Sequence, residues 1–263
     1  MGILNVTPDS FAESAHSVDA AATVDRALRM QDDGADILDV GGESTRPGTE
    51  PVGAGEELAR VLPVVKSLAR QARVPISVDT YRAEVARAVL DEGATIVNDI
   101  SGLRYEPALA GVVACFKAAL VLMHMRGRSK EMYAEAVYGD VVADVAADLK
   151  ASMAVAVSAG VPAECLIVDP GLGFAKRPHD SYGVLAHLST LAETLDRPML
   201  VGPSRKSFMR EALGGRPAPE RDWGTAAAVT AAVLAGAHLV RVHAVAQMAQ
   251  VVRVAEEIRR HAV

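Results

Sequence analysis

Eight short apolar runs, each followed by a longer stretch with helical periodicity, recur along the 263-residue sequence. Near-continuous apolar runs are typical of parallel strands that are buried on both faces. The runs cover residues 3–6, 36–40, 76–79, 95–98, 119–124, 166–169, 198–202 and 239–243. This alternation predicts a chain of βα units and a sheet whose strands all run in the same direction.

The stretches between the runs have the residue spacing of amphipathic helices. The predicted helices cover residues 18–33, 55–70, 82–92, 137–159 and 246–261, with two further segments at 205–214 and 222–235 between the last two strands. Gly34, Gly93 and Gly236 each follow a helical stretch and precede an alanine and a strand run. A glycine just past a helix end adopts the left-handed conformation that closes the last turn. The repeated glycines therefore support the division into βα units.

Eight βα units in a chain of this length predict one α/β domain over residues 1–263. The expected architecture is a single (β/α)8 TIM barrel, which takes about 250 residues. A doubly wound open sheet is the alternative, and it favours a glycine-rich dinucleotide loop after the first strand. Here the first strand leads instead into Asn5, Val6, Thr7 and Pro8, which favours the barrel.

Charge and composition narrow the class of partner. The formal net charge of −6 offers no general basic surface for nucleic acid or membranes. No apolar run approaches the roughly 18 residues of a membrane span, and no signal-peptide pattern opens the chain. Cys115 and Cys165 belong to no metal-binding pattern, so we expect buried thiols in a reducing compartment. These features predict a soluble, cytoplasmic protein that acts on small molecules.

Polar or ionisable side chains stand at or near the end of every apolar run. They are Asn5, Asp39, Asp79, Asn98, His124, Asp169, Ser204, Arg241 and His243. In a barrel, the groups that act on a substrate come from the C-terminal ends of the strands and the loops after them. A solvated loop anchor explains any one of these residues equally well, but the whole set favours an active site.

One part of the set suits a flat heterocycle. Asp79, Asn98 and Asp169 combine hydrogen-bond acceptors with an amide that both donates and accepts. Such a trio matches the alternating donors and acceptors of an aminopyrimidinone ring. Lys206, just past the seventh run, adds a compact cation for a ring carbonyl or nitrogen.

Another part suits an anion. Arg241 and His243 alternate on the eighth run and therefore face the same side of the sheet. Together with Asn5 they form a cluster that can hold phosphate or pyrophosphate. No HxxE or HxH pairing indicates a metal cage made by the protein alone. The sequence thus predicts a heterocycle pocket beside an anion pocket.

Two loops carry further candidate residues. The loop of residues 41–48 places hydroxyls and Arg46 between glycines and a proline, as in a structured but mobile loop or in an ordinary turn with a solvated arginine. The loop of residues 169–176 contains Phe174, one of four phenylalanines. Phe174 is placed either to cover a bound ring or to pack in a small satellite core.

Taken in order, these motifs resemble those of the dihydropteroate synthase family of the folate pathway, over essentially the whole chain. The matching stretches are MGILNVTPDSF at 1–11, GGESTRPG at 41–48, SVDT at 77–80, VND at 97–99, LMHM at 122–125, DPGLGF at 169–174, SRKS at 204–207 and RVH at 241–243. The resemblance implies that 6-hydroxymethyl-7,8-dihydropterin pyrophosphate loses pyrophosphate with help from Mg²⁺ and that the amine of 4-aminobenzoate attacks the methylene. It also implies a homodimer and competition by sulfonamides.

The same resemblance implies a role for individual residues. The pterin would be held by Asp79, Asn98, Asp169 and Lys206. The pyrophosphate would be held by Asn5, Arg241 and His243, with Asn5 as the protein contact of Mg²⁺. The aminobenzoate site would be formed by Phe11, Thr45, Arg46, Pro47, Phe174 and Ser207. The catalytic set would be Asp79, Asp169, Lys206, Arg241 and His243.

Three positions depart from the family pattern. The first loop reads FAESAH at 11–16 without the usual glycines, Ala244 stands where the family has an aspartate, and Pro203 precedes Ser204.

Two other functions fit part of the motifs. A pterin-binding methyltransferase acting on methyltetrahydrofolate with a corrinoid partner shares the Asp and Asn pterin contacts but does not need the SRK motif or the anion cluster. A non-catalytic paralogue that binds pterin is the third possibility.

Overall fold

The strands form where the apolar runs predict them. The structure, a computed structural model, describes residues 1–6, 20–44, 49–128 and 133–262. The strands in these ranges are β1 (Gly2–Asn5), β2 (Leu38–Gly41), β3 (Ile76–Asp79), β4 (Ile96–Asp99), β5 (Ala119–Met123), β6 (Leu166–Asp169), β7 (Leu200–Val201) and β8 (Leu239–Val240). Each of them overlaps one of the eight predicted runs.

Helices connect the strands and surround them. Those in the described ranges are α1 (Ala20–Asp32), α2 (Ala54–Gln71), α3 (Ala83–Asp91), α4 (Ala108–Phe116), α5 (Val141–Ser158), α6 (Pro178–Ala186), α7 (Leu188–Leu195), α8 (Asp222–Leu234) and α9 (Val245–Arg260). α5 begins at Val141 rather than at residue 137, because the Asp140 side chain accepts hydrogen bonds from the backbone amides of Val142 and Ala143. Among these helices, none is long and apolar enough to cross a membrane.

The sheet closes on itself. Strands β1 to β6 pair in order and in parallel, and β7 pairs in parallel with β8. Val168 in β6 forms a parallel bridge with Met199 just before β7, and Val242 just after β8 forms one with Gly2 in β1. The Ile3 amide also donates to the Val242 carbonyl at 2.9 Å. The predicted (β/α)8 barrel is confirmed, and the open doubly wound sheet is excluded.

Strand register places the polar strand ends on the inner face of the barrel. Asn5 pairs with Gly41, Gly41 with Asp79, and Asp79 with Asn98. Residues in register point to the same side of a sheet, and so do residues two apart in one strand. The apolar cluster on this inner face consists of Met1, Ile96, Val121 and Leu200. Polar groups therefore lie above an apolar floor at the carboxyl ends of the strands, while larger apolar clusters fill the layer under the helices.

Two expectations are wrong. Residues 205–214 form a short 3-10 turn at Ser207–Met209 followed by irregular turns, not a helix. Arg205, with a φ of 58°, has a left-handed backbone that a right-handed helix does not contain. Cys115 is exposed and Cys165 is only partly buried. Cys115 lies on the outer side of α4, whose buried side carries residues such as Val113.

Candidate active site

A buried carboxylate connects four strands at the base of the site. Asp39 in β2 is completely buried. Its Oδ1 accepts a hydrogen bond from Ser77 Oγ at 2.5 Å. Its Oδ2 accepts from Arg241 Nε at 2.6 Å and from Asn98 Nδ2 at 3.3 Å. Asp39 therefore orients two predicted site residues, although sequence reasoning assigned it no role.

Asp79 links the two predicted pockets. Its Oδ2 accepts a hydrogen bond from Arg241 Nη2 at 2.8 Å, and its side chain is 8% exposed. Burial raises the pKa of the Asp79 carboxyl to about 7, opposed by the positive charge of Arg241 and reinforced by the negative charge of Asp39. A carboxyl with this pKa changes charge near neutrality, which is typical of functional sites.

Asp169 and Lys206 form the opposite side of the site. Asp169 Oδ1 accepts a hydrogen bond from the Gly171 amide at 2.7 Å, and burial raises the pKa of its carboxyl. Lys206 Nζ donates to the Leu172 carbonyl at 2.6 Å and lies 4.2 Å from the centroid of the Phe174 ring. Burial lowers the pKa of Lys206 to about 8, opposed by the charge of Asp169.

Gly202, the residue just after β7, lies between these groups. A Cβ at this position would be 3.7 Å from Arg241 Cβ and 3.9 Å from both Asp169 Oδ2 and Lys206 Nζ. These three side chains therefore surround the glycine and face one shared space. The structure brings together the pterin residues predicted from the sequence, with Arg241 of the anion cluster beside them.

His243 has a partner that sequence reasoning missed. Ser204 Oγ lies 2.9 Å from His243 Nδ1 and accepts a hydrogen bond from the His243 amide at 3.2 Å. With a neutral ring, the Ser204 hydroxyl donates to Nδ1 while Oγ accepts from the backbone, and the imidazole proton is then on Nε2. Ser204 thus contacts the imidazole of His243, the residue just before Ala244. The proximity of the two strand ends was the only signal for this pair.

The remaining predicted residues divide into two groups. Asn5 lies half-buried on the inner face, and its carbonyl accepts a hydrogen bond from Arg26 Nη2 at 2.8 Å. Ser207 is exposed at the rim, with its Oγ 3.5 Å from the Tyr133 hydroxyl. The other aminobenzoate residues lie outside the described residues, and they are Phe11, Thr45, Arg46 and Pro47.

The described residues contain no cluster of carboxylates, imidazoles or thiols that could bind a metal ion by itself. No group of three or more His, Cys, Asp or Glu side chains there is arranged to hold an ion. A hard cation at this site would therefore need ligands from a bound substrate in addition to Asn5, the manner in which Mg²⁺ often binds beside phosphates.

Two further networks were not foreseen. Lys176 and His124, both buried, and the partly exposed Asp148 form a chain of contacts behind Asp169. Arg82 pairs with Glu43 and Glu57 at the base of the loop after β2. Both networks join residues far apart in the chain, so only the closed fold identifies them.

A closed βα barrel with buried carboxylates and cations at the carboxyl ends of its strands is typical of a barrel enzyme that acts on a polar small molecule. The family model described as pterin binding enzyme matches residues 1–243, and the chain belongs to this family. Its relatives there include dihydropteroate synthases. The dihydropteroate synthase of Synechocystis sp. is 44% identical over 260 residues, which cover 99% of this chain and 90% of the relative.

Solved structures agree in fold as well as in sequence. Dihydropteroate synthase of Yersinia pestis, in a complex with a sulfonamide drug, superimposes with a TM-score of 0.93 at 39% identity and covers 99% of this chain and 94% of its own. The Xanthomonas albilineans enzyme with 4-aminobenzoic acid gives a TM-score of 0.91 at 42% identity, with 98% and 92% covered.

Proposed function

We propose that this protein is a transferase that condenses 6-hydroxymethyl-7,8-dihydropterin pyrophosphate with 4-aminobenzoate to give 7,8-dihydropteroate and pyrophosphate. The observation that carries the proposal is the contact of Asp79 with Arg241 at 2.8 Å. It places a carboxylate for the ring directly beside a cation for the leaving group. Neither a methyltransferase nor a simple pterin-binding protein needs this juxtaposition.

In this proposal the pterin ring is bound by four side chains, those of Asp79, Asn98, Asp169 and Lys206. The carboxylates accept from ring N–H groups, and the lysine donates to a ring acceptor. Their orientation is supported by Asp39, which holds Asn98, and by the Gly171 amide, which holds Asp169.

Arg241, His243 and Asn5 hold the pyrophosphate. The C–O bond to the exocyclic methylene breaks, and its electron pair leaves with the pyrophosphate. Arg241 and the Nε2–H of His243 stabilise the negative charge that develops there. The amide oxygen of Asn5 is a hard ligand that would hold Mg²⁺. Bound Mg²⁺ supplies charge neutralisation of the leaving group.

The methylene cation that remains lies near two carboxylates. Asp79 and Asp169 stabilise it by their negative charge, and the nitrogen lone pair of 4-aminobenzoate forms the new C–N bond before the amine loses a proton. The Phe174 ring, whose centroid lies 4.2 Å from Lys206 Nζ, covers the pterin ring. It excludes water that would otherwise capture the cation. Ser207 lies at the rim where the aminobenzoate enters, and Phe11, Thr45, Arg46 and Pro47 complete that site. Sulfonamides, which mimic aminobenzoate, compete there.

We also propose that the protein is a cytoplasmic homodimer. The exposed stripe of α8 is apolar along its length, and its members are Trp223, Ala227, Ala231 and Leu234. Trp223 is 87% exposed in the single chain. A second copy would bury this surface in a symmetric contact.

The cysteines support the cytoplasmic location. Neither Cys115 nor Cys165 forms a disulfide, which is usual in a reducing compartment.

The experiment is to mix the purified protein with both substrates and to measure pyrophosphate and dihydropteroate together. We expect equal amounts of both products, and release that depends on the arylamine. Methyl transfer from methyltetrahydrofolate without pyrophosphate would favour the methyltransferase. Pterin binding without turnover would favour the non-catalytic paralogue.

A further inference from the structure

Lys176 is a buried lysine directly behind the loop that carries Asp169 and Phe174, and it is 1% exposed. Its Nζ lies 2.7 Å from His124 Nδ1, 3.1 Å from the Gly171 carbonyl and 3.2 Å from the Phe174 carbonyl. An ammonium group has three N–H donors, so these three acceptors satisfy it. The Lys176 ammonium group therefore donates its three hydrogen bonds to one ring nitrogen and two backbone oxygens.

His124 Nδ1 can accept this hydrogen bond because the other ring nitrogen, Nε2, carries the proton and donates a hydrogen bond to Asp148. Nε2 lies 3.0 Å from Asp148 Oδ2, which also accepts from Arg126 Nε at 3.2 Å. The hydrogen bond from His124 holds the pKa of Asp148 well below its usual range. The ring therefore donates Nε2–H to an ionised carboxylate and presents the Nδ1 lone pair to Lys176.

The charges of the cluster agree with this assignment. Burial, together with the charge of Lys176, lowers the pKa of His124 to about 4, so the ring is neutral near pH 7. Burial also lowers the pKa of Lys176, while the charge of Asp169 opposes the shift. The three acceptors around Nζ favour the ammonium form and so oppose the effect of burial.

The loop of residues 169–176 is bound by two lysines, Lys176 and Lys206. Lys206 donates to the Leu172 carbonyl at 2.6 Å, between the two carbonyls that Lys176 holds. Gly171 has a φ of 66°, and a Cβ there would lie 2.0 Å from the His124 carbonyl oxygen. The loop therefore packs directly against the β5 end, and its backbone position depends on the two lysines.

We propose that Lys176 is a positioning residue for the reaction, acting through the carbonyls of Gly171 and Phe174. It fixes the places at which the Asp169 carboxylate meets the pterin and the Phe174 ring covers the site. His124 in turn fixes Lys176. This inference rests on the proposed function of the site, and its rival is a cluster that only stabilises the fold.

The test is steady-state kinetics of Lys176→Met, which keeps the length of the side chain and removes its donors. We expect kcat/KM to fall by about 100-fold, with higher KM values for both substrates. Val113→Ala, a buried change on α4 outside the cluster, should lower Tm while leaving KM and kcat of the folded enzyme unchanged. Unchanged constants in folded Lys176→Met would overturn the proposal.

A second variant and a spectroscopic measurement keep the test decisive if Lys176→Met does not fold. His124→Asn should raise both KM values by less than Lys176→Met, and normal KM values would overturn the proposal. In ¹⁵N-histidine NMR spectra, wild-type His124 should be neutral and protonated at Nε2. A charged or Nδ1-protonated ring would contradict the assignment. The spectrum needs no turnover, so it separates failure of this inference from failure of the proposed reaction.

Discussion

Asp79 is the residue at which the proposed pterin site and the proposed leaving-group site meet. Its carboxyl is buried, contacts Arg241, and has a pKa of about 7. Burying a carboxylate that is only partly compensated costs stability, and such a cost is typical of a functional position. The residue therefore gives predictions for both catalysis and stability.

Asp79→Asn keeps the shape of the side chain and removes its charge. We expect kcat to fall by about 100- to 1000-fold, because a charge aimed at the transition state is lost. Rapid-quench measurement of dihydropteroate formation checks this. Near-normal turnover would show that the carboxylate charge has no part in the reaction.

The same variant tests the pH dependence of folding. The Asp79 carboxyl has a pKa of 3.8 when unfolded and about 7 when folded, so the folded state holds its proton more tightly. Its contribution to stability is complete below pH 4 and is lost as the pH rises towards 7. Urea titrations between pH 4.5 and 8 should show a smaller pH-dependent loss for Asp79→Asn than for wild type. Parallel curves would contradict this.

Lys206 gives an independent pH prediction. Burial lowers its pKa to about 8, so it loses its charge above that pH. We expect the KM of the pterin substrate to rise between pH 8 and pH 9.5, while the KM of aminobenzoate changes less. A pterin KM that stays constant over this range would mean that the charge of Lys206 is not used in binding.

At this scale the sequence singled out candidate residues but not the contacts between them. Strand-end position was enough to single out Asp79, Asn98 and Asp169. It could not show that Asp39 lies one layer deeper and holds Arg241, because depth in the barrel depends on strand register. Nor could it show that Ser204 supports His243, since that pairing joins two strands.

At the scale of elements, the Arg82 network holds the base of the loop after β2. Arg82 Nη1 lies 2.9 Å from Glu43 Oε2 and also pairs with Glu57, whose side chain is 1% exposed. Glu57 belongs to α2, and Arg82 precedes α3. The network therefore joins two helices to the start of a loop that carries predicted aminobenzoate residues.

Arg82→Met should lower the free energy of unfolding by about 3–5 kcal/mol, because it leaves Glu57 buried without its cation. Adding Glu57→Gln should recover part of the loss. As a control, Arg73→Met breaks the exposed pair with Asp32 and should cost less than about 1 kcal/mol. Equal effects of the two arginine variants in urea denaturation would contradict the account.

Element boundaries were predicted where local chemistry decides them. β3 and β6 match their predicted runs residue for residue; a proline, which donates no backbone hydrogen bond, borders each run, Pro75 before β3 and Pro170 after β6. Residues 205–214 were predicted as a helix from residue spacing, but Arg205, with its positive φ, starts a turn there instead. That turn is stabilised by Asp222, which binds Arg205 Nε at 2.7 Å from a later helix.

On the scale of the whole molecule, closing the barrel creates the site. Arg241 and Asp39 are 202 positions apart in the chain, and Arg241 and Asp79 are 162 apart. They meet because β8 returns to β1. The sequence predicted this closure from the number of βα units, and it did not predict which side chains would touch across the closed barrel.

The proposed dimer is tested by its apolar surface on α8. Trp223→Glu should convert a dimer of the 27.6 kDa chain into a monomer, since a buried charge opposes association. Val157→Glu, which changes an exposed valine on α5, should leave the dimer intact. Sedimentation equilibrium distinguishes the two masses, and a monomeric wild-type protein would contradict the proposal.

The central claim is that one barrel mouth holds a ring-binding side and a leaving-group side with separate residues. Calorimetric binding of 6-hydroxymethylpterin and of pyrophosphate to Asp169→Asn and His243→Ala tests it most directly. The account predicts that Asp169→Asn weakens pterin binding by about tenfold or more and leaves pyrophosphate binding nearly unchanged. His243→Ala should do the reverse. Equal weakening of both ligands by both variants would contradict the division of the site.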